Sequence, residues 1–303
     1  MAQRKTVSVN RHQTVEEAFE HILRSDLNAI EEWEPVALAG EDIEGVHQVR
    51  VGLRRMRSAL TVFASAVPRR VARPVAKELR WAAKAMDRAR DLDVYIAEAL
   101  SSAPAKKSAK QLKNIAKQRR EEAYVRLRKL LRGKRYLGFK DNLNHWLDSR
   151  GWRVGLSAEE QKGLRRKVSP FASRVLEQHR DKVLEHGKKI DSLSGDDLHR
   201  LRIDCKKLRY ATEFFGPLYG DRMQDSTKRL KALQDVLGTL HDTAVMTGLQ
   251  RDLLKGPGKS KLKRMARTLA DKRGKEAEEI KKTLVERWTA YGLLRVGYAV
   301  NRG

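Results

Sequence analysis

The chain has 303 residues, enough for one large domain or two ordinary ones. Lys and Arg number 65 against 39 Asp and Glu, a net charge of +26, while 40% hydrophobic residues exclude a wholly disordered chain. A single cysteine, Cys205, excludes an internal disulfide framework and a cysteine-based structural zinc site.

The first residues, MAQRKTVSVNRHQT, lack the apolar segment of a secretion signal, and no stretch approaches ~18 continuous apolar residues. A cytoplasmic, non-membrane protein is therefore expected. A charge this large implies an anionic polymer or surface as partner and says nothing about fold.

In chain order, 3.6-residue apolar periodicity predicts helices almost throughout, and nothing reads as a strand. Thr14 with Glu17 forms a capping-box pattern before VEEAFEHILRSDLNAI. Further helices are expected over 45–66, 72–100, 106–131 and 136–147, then a break at SRGWRVGLS. The second part predicts helices over 159–186, 196–215, 222–254 and 261–300, the last interrupted near Gly274 and Gly292. The segments GKKIDSLSGD and KGPGKSK read as loops. The chain is all-α.

An internal repeat is the most informative feature. VHQVRVGLRRMRSALTVF from Val46 matches LHRLRIDCKKLRYATEFF from Leu198, so that His47 corresponds to His199, Arg50 to Arg202, Arg54 to Lys206, Arg55 to Lys207 and Arg57 to Arg209. Flanking segments correspond too, which divides the chain into related halves of about 10–150 and 158–303. The expected architecture is one compact helical bundle with pseudo-two-fold symmetry.

On a helix, offsets 0, 3, 7 and 10 fall within roughly 80°. His47, Arg50, Arg54 and Arg57 thus form one stripe, and His199, Arg202, Lys206 and Arg209 another. The apolar positions Val49, Leu53, Met56, Leu60 and Phe63 lie on an adjacent arc, which puts the stripe at the border of the core rather than opposite it. Like charges ~4 Å apart near a surface repel by about 4 kcal/mol, so a stripe with so few carboxylates calls for an anionic ligand. Arginine forks hold phosphate oxygens in bidentate fashion, and lysine adds a mobile charge.

The next helix of each half adds Arg80, Lys84 and Arg88 in the first and Lys228 and Lys231 in the second. Asp91 and Asp242 are expected to orient basic groups, and Lys110, Lys113, Lys117 and Arg120 to form a solvated face. No catalytic group, metal site or cofactor is expected.

His47-x-x-Arg50-Val51-x-x-Arg54-Arg55-x-Arg57, Arg90-Asp91-x-Asp93-Val94 and His199-x-Leu201-Arg202-x-x-x-Lys206-Lys207-x-Arg209-Tyr210 resemble the CHAD domain, the conserved histidine α-helical domain. The resemblance implies two related helical halves around a basic central channel that binds inorganic polyphosphate, with phosphate or sulfate ions able to substitute. It makes the matched residues, including Arg90, the ligand contacts. Met86-Asp87 departs from the usual Leu-Gly, which the second half keeps as Leu237-Gly238. Some family members associate with polyphosphate or storage granules.

Two other functions compete. Basic helices also bind nucleic acid non-specifically, but aromatics at 6% and the absence of a recognition-helix motif leave little to read bases. An accessory role beside a phosphoanhydride-processing enzyme is the other. The chain itself has no alternating Glu-x-Glu-x-Lys strand and no phosphate-binding GxxxxGK[ST] loop.

Overall fold

A computed structural model describes residues 9–100, 107–255 and 260–292. Twelve α-helices follow among them: α1 Val15–Ala39, α2 Ile43–Val62, α3 Arg69–Ala85, α4 Asp87–Val94, α5 Lys107–Leu131, α6 Lys134–Asp148, α7 Ala158–Leu164, α8 Val168–His186, α9 Gly195–Phe215, α10 Gln224–Leu253, α11 Ser260–Lys282 and α12 Leu284–Gly292. Short 3-10 turns and one π-helical turn, Tyr95–Ala99, join them. The described residues form no strand, only an isolated antiparallel bridge between Thr14 and Lys167.

The Thr14 cap is where the sequence puts it, and the structure adds two more at α2 and α9. Thr14 accepts from the Glu17 N–H at 3.2 Å while the Glu17 carboxylate accepts from the Thr14 N–H at 2.7 Å. Asp42 caps α2, accepting from the Glu44 N–H at 2.8 Å, and Ser194 caps α9, accepting from the Asp197 N–H at 3.2 Å. The first helix outruns its expected end, continuing through Pro35 until Gly40, at φ 75°, closes it.

Three expected helices differ. The helix expected over 72–100 starts at Arg69 and breaks at Met86, because the Ala83 carbonyl accepts from the Arg50 guanidinium at 2.6 Å and from the Met86 N–H at 3.2 Å. The helix expected over 159–186 is split. Val15 N–H donates to the Arg166 carbonyl at 2.9 Å and Val168 N–H to the Gln13 carbonyl at 3.0 Å, so the intervening residues clasp the start of α1. In the last helix the interruption falls at Thr283, not Gly274; a helical glycine costs only ~1 kcal/mol. The stretch beyond Gly292, Lys106 and part of the KGPGKSK loop lie outside the described residues.

The repeat is visible in the core. Phe19, Phe63, Phe171 and Phe215 are buried, and 19 with 171 and 63 with 215 are corresponding positions of the two halves. Their rings form a chain of contacts: Phe63 meets Phe19 and Phe171, each at 5.2 Å between centroids, and Phe215 at 5.5 Å. The apolar arc of α2 (Val49, Leu53, Met56, Leu60, Phe63) and its counterparts on α9 (Leu201, Cys205, Leu208, Thr212, Phe215) are all buried. Burying those arcs brings α2 and α9 side by side and leaves their basic borders facing a common space.

The α1–α2 pair fixes the tilt of the basic helix. A Cβ on Gly45 would stand 2.5 Å from the Ala37 backbone nitrogen, and one on Gly52 would stand 2.5 Å from Ile30 Cγ1. At Gly45 the obstacle is backbone and cannot rotate away. Gly45→Ala is therefore expected to destabilise the fold by about 1–3 kcal/mol, measured as a lower unfolding midpoint with helical content retained below it. Unchanged stability would mean that the two helices do not approach so closely. No helix of the described residues is long and apolar enough to cross a membrane.

Candidate functional site

A cleft of about 760 Å³ opens between α2, α3 and α9. Its cationic lining is Arg54 and Arg57 from α2, Arg69, Arg70, Arg73 and Arg80 from α3, and Lys206 and Lys207 from α9. None of the lining residues is acidic. Leu60, Ala72, Ala76 and Ile203 supply apolar wall, and Ser58, Thr61 and Tyr210 supply hydroxyls. The Tyr210 hydroxyl is buried and has no hydrogen-bond partner among the described residues.

The two repeated motifs meet electrostatically across this space. Burial lowers the basicity of Lys206, and Arg202, Arg54 and Arg209 lower it further against the opposing pull of Asp242, bringing its pKa down to about 8. Burial likewise holds Arg202 below the ordinary arginine range, with Arg54 adding repulsion and Asp242 opposing it. Arg57 is pushed down by burial and then by Arg80 of α3. These cations therefore weigh on one another, the expected sign of a site awaiting a counter-charge.

Not every motif cation faces the cleft. Arg55 points the other way: its Nε donates to Asp26 of α1 at 2.8 Å, its Nη1 donates to Glu213 of α9 at 2.6 Å, and its guanidinium lies 5.1 Å from the Phe214 ring centroid. Arg50 is tied to the Ala83 carbonyl and Asp87, while Arg209 pairs with Glu213 and lies 4.7 Å from the Tyr210 ring centroid. Arg202 approaches Asp242 at 3.6 Å, yet its buried Nε has no hydrogen-bond partner among the described residues. Lys207 lines the cleft but is engaged by Asp204 at 2.8 Å.

His47 is half-buried, with a pKa lowered by burial and by Arg90, and His199 is exposed; neither lines the cleft. Arg90 donates to the Ile43 carbonyl at 3.3 Å, and Arg88 approaches Asp252 at 3.5 Å. Lys84, Lys228 and Lys231 are exposed and outside the cleft lining.

Two expectations about flanking residues need correction. Arg120 is not part of a solvated face: its Nε donates to Asp93 at 2.6 Å, its Nη2 donates to the Gly40 carbonyl at 2.8 Å, and it lies over Tyr124. Asp242 reaches Arg202, but in the first half Asp87, rather than Asp91, takes Arg50. The departure Met86-Asp87 thus supplies that carboxylate one helical turn earlier.

Arg69, Arg70 and Arg73 are the cleft residues that the motif reading misses. Their signal was nevertheless present, because Arg69, Arg73, Ala76 and Arg80 stand at offsets 0, 4, 7 and 11, within about 60° on a helix. Among the described residues, no three His, Cys, Asp or Glu side chains gather in a way that could hold a metal ion.

Fold and cleft define an all-helical, internally repeated protein with a cation-lined groove. The CHAD domain profile matches residues 21–251, and the chain belongs to the CHAD domain family. The crystal structure of the CHAD domain from the plant Ricinus communis superposes with a TM-score of 0.82 at 24% identity, covering 97% of each chain. PptA from Streptomyces chartreusis superposes with a TM-score of 0.68 at 15% identity, covering 91% of this chain and 100% of its own. Both likenesses show the fold. No curated protein matches the sequence.

Proposed function

We propose that the protein binds inorganic polyphosphate, without catalysing its turnover, in the cleft between α2, α3 and α9. The observation that carries this reading is the gathering of eight cations with no acid in the lining. An extended chain with one charge per phosphate can follow such a groove, whereas a nucleic-acid duplex is too broad to enter it. On this reading the two halves form one domain with pseudo-two-fold symmetry, and the cleft opens into a basic central channel.

Arg54, Arg57, Arg80 and Lys206 are then the principal contacts. Lys207, Arg202 and Arg70 contribute beside their carboxylates Asp204, Asp242 and Glu160, and Arg69 and Arg73 extend the track. The unpartnered Tyr210 hydroxyl and Arg202 Nε are donors suited to phosphate oxygens. Arg50, Arg55 and Arg209 brace the helices. His47, His199, Lys84, Arg88, Arg90, Lys228 and Lys231 rest on helical spacing and the family resemblance, lie outside the cleft lining, and are assigned to the approaches. The proposed setting is the cytoplasm, at polyphosphate or storage granules.

Calorimetric titration with long-chain polyphosphate at physiological salt tests the proposal. Tight binding is expected, with excess polyphosphate displacing nucleic acid and the reverse competition failing; nucleic acid displacing polyphosphate at equal phosphate would overturn it. Absence of phosphate release in the presence of Mg²⁺ is the companion expectation.

The pH dependence has a definite sign. Lys206 faces Arg202 and Arg209 of its own helix, Arg54 of α2 and Asp242 of α10. Bound phosphate favours its charged form, so binding takes up a proton and weakens as pH rises through about 8. Between pH 7 and 9 the affinity is expected to fall by about ten-fold, with a calorimetric enthalpy that depends on the buffer's ionisation heat. Lys206→Arg should flatten this profile. A wild-type profile already flat over that range would remove Lys206 from the site.

A further inference from the structure

Lys206 combines three properties that no other described lysine shares. It is half-buried, it lines a cleft, and its amine is made less basic by burial and by Arg54, Arg202 and Arg209. The compensating carboxylate, Asp242, is largely exposed and already directed to Arg202 at 3.6 Å. Lys207, in the same cleft, has its ammonium engaged by Asp204 at 2.8 Å. Beside Lys206 stand Arg54 and Arg57, with Arg69, Arg73 and Arg80 along the facing helix.

A nucleophilic amine next to phosphate-binding guanidiniums suits one class of small electrophile, in which a reactive carbonyl is joined to phosphate. We propose that Lys206 is an acylation site for acyl phosphates, the cleft arginines seating the phosphate and the lysine amine taking the acyl group. This rests on the reading of the cleft as a phosphate site. The neutral Nζ lone pair attacks the carbonyl carbon, and the bond from that carbon to the bridging oxygen breaks. Inorganic phosphate leaves with the electron pair, and the proton lost from nitrogen passes to phosphate or water. No other reactant is needed.

The product amide has no charge. Acylation therefore removes a cation from the middle of the track, so polyphosphate and acyl phosphate oppose each other at this residue.

About half of Lys206 is neutral near pH 8, against under about 1% of an ordinary lysine, although a less basic amine is also a weaker nucleophile. The test exposes the full chain to acetyl phosphate at about pH 7.5 and follows each lysine by mass spectrometry. A parallel reaction uses the N-hydroxysuccinimide ester of acetic acid, which has no phosphate to seat. Lys206 is expected to react about ten-fold or more faster than Lys84, Lys207 or Lys228 with acetyl phosphate, and to show less selectivity with the ester. Equal rates at all four lysines, or a preference for Lys206 seen only with the ester, would overturn the proposal. Added polyphosphate separates this from the binding proposal. If selective acetylation persists undiminished under saturating polyphosphate, the acylation site stands and the polyphosphate reading fails; protection supports both.

Discussion

Reversing two charges, Arg54→Glu with Lys206→Glu, is expected to weaken polyphosphate binding by at least about 100-fold while leaving the helical fold intact. The two residues are corresponding positions of the repeat, and Arg54 is among the cations that depress Lys206 across the cleft. Each charge-assisted hydrogen bond to an ionised group is worth about 1.5–3 kcal/mol, and two losses together give about 3–6 kcal/mol before the new repulsion is counted. Arg54 is exposed, and neither it nor Lys206 has a carboxylate partner in the described ion pairs, so folding does not depend on their charges. Titration at fixed salt, with circular dichroism as the control, reads the effect. The salt dependence should also become shallower, because fewer counterions are released on binding. Affinity within two-fold of the unaltered protein would remove the cleft as the site.

The neighbouring residue is expected to behave in the opposite way. Arg55→Ala should cost about 3–5 kcal/mol of stability, the cost of removing one member of a buried ion pair. Asp26 has a side chain only 1% exposed, and Arg55 joins it to Glu213, so the bond ties α1 of the first half to α9 of the second. Burial would lower the basicity of the Arg55 guanidinium, but Asp26 and Glu213 more than offset it and raise its pKa. Denaturant unfolding should show the loss at an unchanged m-value, and pairing the change with Asp26→Asn should recover part of it by removing the buried charge that Arg55 balances. If Arg55→Ala instead kept its stability and lost ligand affinity, Arg55 would be a ligand contact and the brace would lie elsewhere.

The contrast between Arg54 and Arg55 shows what a linear pattern can and cannot disclose. Helical periodicity placed α2 and α9 correctly, and the 152-residue correspondence named residues that do meet, Phe63 with Phe215 in the core and Arg54 with Lys206 at the cleft. The pattern could not tell a cation facing an open groove from one facing a carboxylate on a distant element. Asp26 of α1 and Glu213 of α9 claim Arg55, and Asp87 of α4 claims Arg50, all from other elements. The Arg209–Glu213 pair is different, an i,i+4 contact along α9 that the spacing itself discloses.

The break at Met86 was hidden for a similar reason. It depends on the Arg50 guanidinium competing for the Ala83 carbonyl, a contact 33 residues away in sequence. Likewise the gap between α7 and α8 is made by hydrogen bonds to the start of α1, with no glycine or proline in Arg165–Arg166–Lys167 to mark it. Arg69 and Arg70 went unnoticed because α3 was expected to begin at Ala72, which left them outside the helix and Arg73 without its neighbour one turn earlier. The histidines that head each motif are the easiest residues to find in the sequence, yet neither lines the cleft.

The most direct test is a diffraction experiment on the protein crystallised with long-chain polyphosphate. The account predicts a continuous run of phosphorus density between α2 and α9, with phosphate oxygens in contact with Arg54, Arg57 and Lys206 and reaching Arg80 on α3. Density lying instead along the outer cationic faces of α5 or α11, with the cleft holding only solvent, would contradict it.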